Sequence, residues 1–329
     1  MIKNTNLLIT GTVLFAILVS MLVFYSVMKN YTNEIIENDW KYIEELPEIK
    51  TMQGKIFLIG SSQTGMINTT FVNDQLKHHK VEYAVWNISD GGDKPTLRLF
   101  SVDKIVLLQP KLVIYGIGFR DFEQQSMNNI QNAQIINSWW SLPTPQNLIV
   151  KGLNLESIEA QLGLPYSPKV ITRKILQSFD KVDEETTLNK EPFTPLMKFG
   201  NDDYIIKDKS QLRQEIKNAA IFGGISDSNA DVIAFKQIVS KFRQSNIKLV
   251  VFTTPYSDVA LEKISESDKK LFEDMLEKIS KEYNVEIYFL HSKYSDLPIW
   301  EESSHVALNK ESLIYSQDIL NIILNEIKE

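Results

Sequence analysis

Five short apolar runs, each followed by a helical pattern, limit this chain more than any other feature. They are KIFLI at 55–59, VEYAVWNI at 81–88, LVIYG at 112–116, IKLVVFT at 247–253 and VEIYFL at 285–290. Each is too short for a helix, and the third and fourth are apolar on nearly every residue, which is how strands buried on both faces read. Helical patterns fall between them, over 64–77, over 95–108 with Pro95 in the first turn, over 229–244, and from a Ser265 cap to Tyr283. A last helix, capped by Asn309, carries Leu313, Ile314, Ile319, Leu320, Ile323, Leu324 and Ile327. Strands alternating with helices predict a parallel α/β sheet with right-handed crossovers. Ligands of such sheets bind beyond the carboxyl ends of the strands. Residues 123–225 carry neither period, and a stretch of that length is read as a central insertion, helical or irregular, inside the α/β domain of residues 55–329.

The N-terminus follows a different logic. From Leu7 to Met28 the only ionisable residue is Tyr25, neutral at pH 7. As a helix the run is about 33 Å long, enough for a hydrocarbon core of about 30 Å. It has no polar face to suit it to a soluble core. It exceeds the apolar stretch of a cleaved signal peptide, and no A-x-A site follows. The expectation is a single-pass anchor over residues 1–30 that binds the lipid bilayer, then a juxtamembrane stalk over 31–54. Lys3 precedes the span and Lys29 and Lys41 follow it, so the basic residues do not decide its orientation.

Composition removes whole classes of function. With 35 Lys+Arg against 42 Asp+Glu the net charge is −7 and no basic stripe exists, so no nucleic-acid partner is expected. The absence of cysteine removes disulfides, Cys-ligated zinc, iron–sulfur clusters and thiol nucleophiles. The four histidines, His78, His79, His291 and His305, leave few candidates for imidazole chemistry and predict no metal site. Gly60-Ser-Ser-Gln-Thr-Gly65 looks like a phosphate loop, yet Met66 and Ile67 stand where the Lys and Ser/Thr belong.

Four loops at predicted strand ends carry chemistry-bearing residues. Ser62 lies on the turn after the first strand, where a hydroxyl is exposed at a helix start. Gly92 follows the second strand, Gly118-Phe-Arg-Asp121 the third, and Glu302-Ser-Ser-His305 the last. This order resembles the SGNH/GDSL family of serine esterases and acyltransferases. Gly60-Ser61-Ser62 stands for that family's Gly-Asp-Ser block, Asn87 to Gly92 for its oxyanion-glycine block, and Gly118 to Asp121 for its Gly-x-Asn-Asp block. Glu302 to Asn309 stands for its Asp-x-x-His block. Arg120 replaces the family's oxyanion Asn, and Glu302 replaces its Asp.

The resemblance implies a three-layer, flavodoxin-like parallel sheet with Ser62 as nucleophile, His305 as base and Glu302 as the residue orienting it. Gly92 and Arg120 would form the oxyanion hole or bind substrate. It implies no metal and no organic cofactor. It further implies a membrane-anchored esterase or O-acyltransferase, its main domain extracytoplasmic, acting on acyl esters of cell-surface glycans or polymers. The two replacements motivate a second expectation, a catalytically inactive scaffold or binding protein of the same fold in a membrane-associated complex.

Overall fold

The computed structural model describes residues 54–89, 93–99, 101–122, 205–216, 225–226, 229–309 and 312–328, together with Thr12, Phe15, Val19 and Ser20. Those four are helical and exposed. The rest of the apolar run, the stalk and most of the expected insertion, including Trp139 and Trp140, lie outside the described residues. Among the described residues no helix is long and apolar enough to cross a membrane. The chain divides into two units, Met1–Leu46 with Gln134–Asp180 and Pro47–Ala133 with Lys181–Glu329. The sheet belongs to the second.

Its described elements run β1 Gly54–Gly60, α1 Ser62–Gly65, α2 Thr69–His78, β2 Tyr83–Asn87, α3 Pro95–Arg98, α4 Val102–Leu107 and β3 Leu112–Ile117. After α5 (Lys209–Glu215) come α6 Ala230–Gln244, β4 Lys248–Thr253, α7 Asp258–Leu261, α8 Glu266–Tyr283 and β5 Glu286–Tyr288. The short strands β6 Trp300–Glu302 and β7 His305–Val306 and helix α9 Leu313–Glu326 complete it.

The five apolar runs form one sheet in the order β2-β1-β3-β4-β5, with every pairing parallel. This is the flavodoxin-like order. The register shows why helices cover both faces. Tyr115 pairs with Val251 and its successor Gly116 with Phe252, so Tyr115 and Phe252 point to opposite sides. Tyr115 meets Phe235 of α6 edge-on at 5.6 Å, while Phe252 meets Tyr315 of α9 at 6.2 Å. α6 buries Val232, Phe235, Ile238, Val239 and Phe242, and α9 buries Tyr315, Ile319, Leu320 and Ile323. Each such side chain removed from water contributes about 1.5–3 kcal/mol.

Two expected helices are broken. The pattern over 64–77 divides because Asn68 leaves the helix to cap α2, its side chain accepting from Phe71 N–H at 2.9 Å. The pattern over 95–108 divides at Ser101, whose hydroxyl donates back to the Arg98 carbonyl at 3.0 Å. Asn309 is not the cap of α9. Ser312 holds that position, and Asn309 instead accepts from the Ser312 N–H and hydroxyl in the preceding turn. The cap expected at Ser265 is present, and the helix expected from Asn229 starts at Ala230 with Asn229 as its cap.

The hairpin β6–β7 had no sequence expectation. Trp300 pairs with Val306 and Glu302 with His305, antiparallel. The segment before α5, within the expected insertion, docks on it through Lys207 N–H to the Trp300 carbonyl at 2.8 Å.

Candidate active site

The sheet places its chemistry where β1 ends. Gly60 leaves the strand at φ +142°, and a Cβ there would lie 2.4 Å from the Gly116 carbonyl oxygen. Only glycine makes this turn without strain. Ser61 is extended at the N-cap position of α1 and makes no side-chain cap bond, and Ser62 opens the helix with its hydroxyl toward His305. On the other side the tight hairpin brings Glu302 and His305 together, three residues apart.

Ser62 Oγ lies 2.6 Å from His305 Nε2. His305 Nδ1 is in close contact with Glu302 Oε1, with the Ser304 hydroxyl 3.4 Å from the same nitrogen. His305 is 12% exposed and Glu302 50%, so the imidazole is sheltered while the carboxylate stays wet on one side. The hydrogen bond to His305 holds the Glu302 carboxyl below its ordinary range, and the charges of Lys207 and Arg120 add to this against the cost of burial. Glu302 is therefore ionised at neutral pH. A carboxylate only accepts, so Nδ1 carries the proton and Nε2 is left free to take the one on Ser62.

Arg120 sits in the 3₁₀ turn Phe119–Phe122 just past β3, exposed, within electrostatic reach of Glu302. Gly92 lies outside the described residues. The loop leading to it is built by Asn87, which accepts from the Ser89 N–H and hydroxyl and donates to the Thr64 carbonyl at 3.0 Å.

Asp121, one residue from Arg120, is buried and accepts from Gly118 N–H at 2.7 Å. Burial is the largest cause that pushes its carboxyl up to about 8. Asp93 and Asp231 add to it, while the Gly118 N–H and Lys94 oppose. With the folded pKa raised, the stabilisation is full below the unfolded carboxyl pKa of about 3.9 and declines as pH climbs to about 8. Asp121→Asn keeps an acceptor for Gly118 and has no charge to bury. Its unfolding free energy relative to wild type should be greater at pH 8–9 than at pH 4, by on the order of a few kcal/mol, and the thermal midpoints should follow the same order. A difference that is the same at both pH values would refute the assignment.

His291, the rival imidazole, is used elsewhere. The Thr253 hydroxyl accepts from the N–H groups of Leu290 and His291, so its own proton goes to His291 Nδ1 at 3.1 Å. Nε2–H then faces Glu273 at 3.1 Å. Burial among Phe119, Phe272 and Phe289 lowers its pKa, with Glu273 opposing.

Sequence reasoning missed the residues that hold the two halves of the site together. Ser257 N–H and hydroxyl both donate to the Ser303 carbonyl, at 3.0 and 2.8 Å, and Gln63 donates to the Ser304 carbonyl at 2.8 Å. No local pattern marks either residue, because their partners are distant in sequence.

No protein-family model matches the chain. No curated protein matches it. Among solved structures it is similar to the lipase/acylhydrolase from Enterococcus faecalis, at 12% identity over 84% of this chain and 96% of that one, with a TM-score of 0.43. It is similar to the psychrotrophic esterase EstA from Pseudoalteromonas sp., at 10% identity over 84% and 100%, with a TM-score of 0.40. The acetyl xylan esterase AlAXEase matches at 11% identity over 83% and 99%, with a TM-score of 0.38. At such identities and scores the functional reading rests on the site's own geometry.

Proposed function

We propose that this chain is a serine ester hydrolase working through Ser62, His305 and Glu302. The observation that carries the reading is the continuous line from the Ser62 hydroxyl through both ring nitrogens of His305 to the Glu302 carboxylate. Ser62 Oγ attacks the ester carbonyl carbon while its proton passes to His305 Nε2. The tetrahedral intermediate collapses, the bond to the alcohol oxygen breaks, and Nε2–H returns the proton to that oxygen. Water, activated by the same nitrogen, then releases the acyl group from Ser62. Glu302 stabilises the imidazolium formed in each half. The Ser62 N–H, Gly92 and the Arg120 guanidinium are assigned to the carbonyl oxygen as it becomes negative.

The finer assignments belong to the same proposal. The apolar run from Leu7 to Met28 anchors the protein in a bilayer, and the catalytic unit faces the extracytoplasmic side. There the substrate is an acyl ester on a glycan or polymer, and a sugar hydroxyl in place of water would make the reaction an O-acyl transfer. The contact of Glu302 with His305 Nδ1 expected of an orienting carboxylate supports the hydrolase reading over that of an inactive scaffold.

A fluorophosphonate probe applied to membranes carrying the full-length chain tests the central claim without a known substrate. The wild type should gain a covalent adduct on Ser62 within minutes, and Ser62→Ala should gain none. An unlabelled wild type that binds antibody to its folded state would sink the reading.

A further inference from the structure

Gln63 follows the proposed nucleophile and is 4% exposed. Its side-chain amide uses every hydrogen-bonding position it has. Nε2 donates to the Ser304 carbonyl at 2.8 Å and to the Pro255 carbonyl at 3.3 Å. Oε1 accepts from the Thr254 hydroxyl at 2.9 Å and from the Tyr256 hydroxyl at 3.4 Å. The two carbonyls can only accept, so the amide has one permitted orientation. Its backbone carbonyl also accepts from the Tyr315 hydroxyl of α9 at 3.3 Å. Gly118 completes the packing, since a Cβ there would lie 2.9 Å from Gln63 Oε1.

Four parts of the rim therefore converge on one side chain: the nucleophile turn, the turn after β3, the loop after β4 and the tip of the hairpin. The bond to Ser304 is the one with mechanistic meaning. Ser62 and His305 are 243 residues apart and meet in a single hydrogen bond. Gln63 and Ser304 are their immediate neighbours in the chain, and the bond between them runs alongside. A nucleophile displaced from its base by about 1 Å loses about 10²-fold in rate.

We propose that Gln63 is a positioning residue, whose amide N–H donors, one to the Ser304 carbonyl and one to the Pro255 carbonyl, tie the His305 hairpin to the loop after β4 and hold it at hydrogen-bonding distance from Ser62. This rests on the serine-hydrolase reading and adds the element that sets its geometry. Two consequences separate it from a general contribution to stability. Losing the donors should slow attack by Ser62 and leave substrate binding nearly unchanged. Losing the acceptor's partner, Thr254, should disturb the fold comparably and leave the hairpin tie intact.

The test compares full-length wild type, Gln63→Glu, Gln63→Met and Thr254→Val. Gln63→Glu keeps the volume and the acceptor oxygen but offers at most one proton, so the bonds to the Ser304 and Pro255 carbonyls cannot both be made, and it remains informative if Gln63→Met does not fold. The expected result is a 10- to 100-fold slower reaction of Ser62 with the fluorophosphonate in the Gln63 variants, and a change within threefold for Thr254→Val. On an acetyl ester reporter the Gln63 variants should lower kcat with KM within threefold. Equal losses in the Gln63 and Thr254 variants, or wild-type rates in Gln63→Glu, would overturn the inference. The second readout is the ¹⁵N spectrum of histidine-labelled protein, which contains only four residues to assign. Wild-type His305 should show one fixed tautomer with Nδ1 protonated, and Gln63→Glu a tautomer mixture. If wild type is not labelled yet this spectral difference is found, the hydrolase reading fails and the positioning role stands. If the spectra are the same, the positioning role fails.

Discussion

Exchanging His305 for alanine is expected to slow ester turnover by about 10⁴–10⁶-fold. Without the imidazole the Ser62 proton has no acceptor, and the leaving alkoxide has no acid. The residual rate would come from the oxyanion donors and substrate binding, which survive the change. Folding should survive as well, because the hairpin is held by backbone pairs and by the bonds from Gln63 and Ser257 to its tip. Circular dichroism and the thermal midpoint establish that it does. Steady-state hydrolysis of an acetyl ester then reads the loss, and KM should move little, because the interaction is made with the transition state. Ser62→Ala combined with His305→Ala should cost little more than either change alone, since the two act as one unit. Independent, multiplying losses would mean that Ser62 and His305 serve different reactions.

The sequence made the sheet legible because buried parallel strands leave a dense signature. LVIYG and the LVVF centre of β4 carry no charged residue, and β3 is buried along its whole length. The site was legible for a related reason. Strand ends of a parallel sheet share one rim, so Ser62, Arg120, Glu302 and His305 could be gathered from order alone. The Glu302-x-x-His305 spacing suggested the pair, but not the means. A hairpin with Glu and Ser at its turn lacks the alternation that marks a strand, and its pairing is short. Helix interruptions escaped because they depend on competition: Asn68 gains more as a cap than as a continuing residue. Gln63 was unreadable in principle. Its partners Thr254, Pro255 and Ser304 lie about 190–240 residues away, so its role exists only after the chain has closed. The state of Asp121 is similar, since its raised pKa comes first from burial, which tertiary packing alone creates, and then from Asp93 and Asp231 on two other segments.

Glu302 offers the sharper test of how the base is prepared, because two substitutions should rank in an order that simple loss of charge does not give. Glu302→Gln is expected to lower kcat by about 10²–10⁴-fold. The amide can turn its NH₂ toward Nδ1, which then must accept, and the ring proton moves to Nε2. That nitrogen faces Ser62 at 2.6 Å and would no longer be able to take its proton. Glu302→Ala removes the charge without supplying a wrong donor. The carboxylate is 50% exposed, so water can occupy its place and accept from Nδ1–H, and the Ser304 hydroxyl at 3.4 Å can do the same. Glu302→Ala should therefore retain more activity than Glu302→Gln, by about tenfold. Glu302→Asp should be the least damaged, since a carboxylate remains and one intervening water restores contact. The measurement is kcat for the three variants at one fixed pH, with the ¹⁵N tautomer of His305 read alongside. If Glu302→Gln equals wild type, the carboxylate does not set the tautomer, and the Ser304 hydroxyl becomes the group that orients His305.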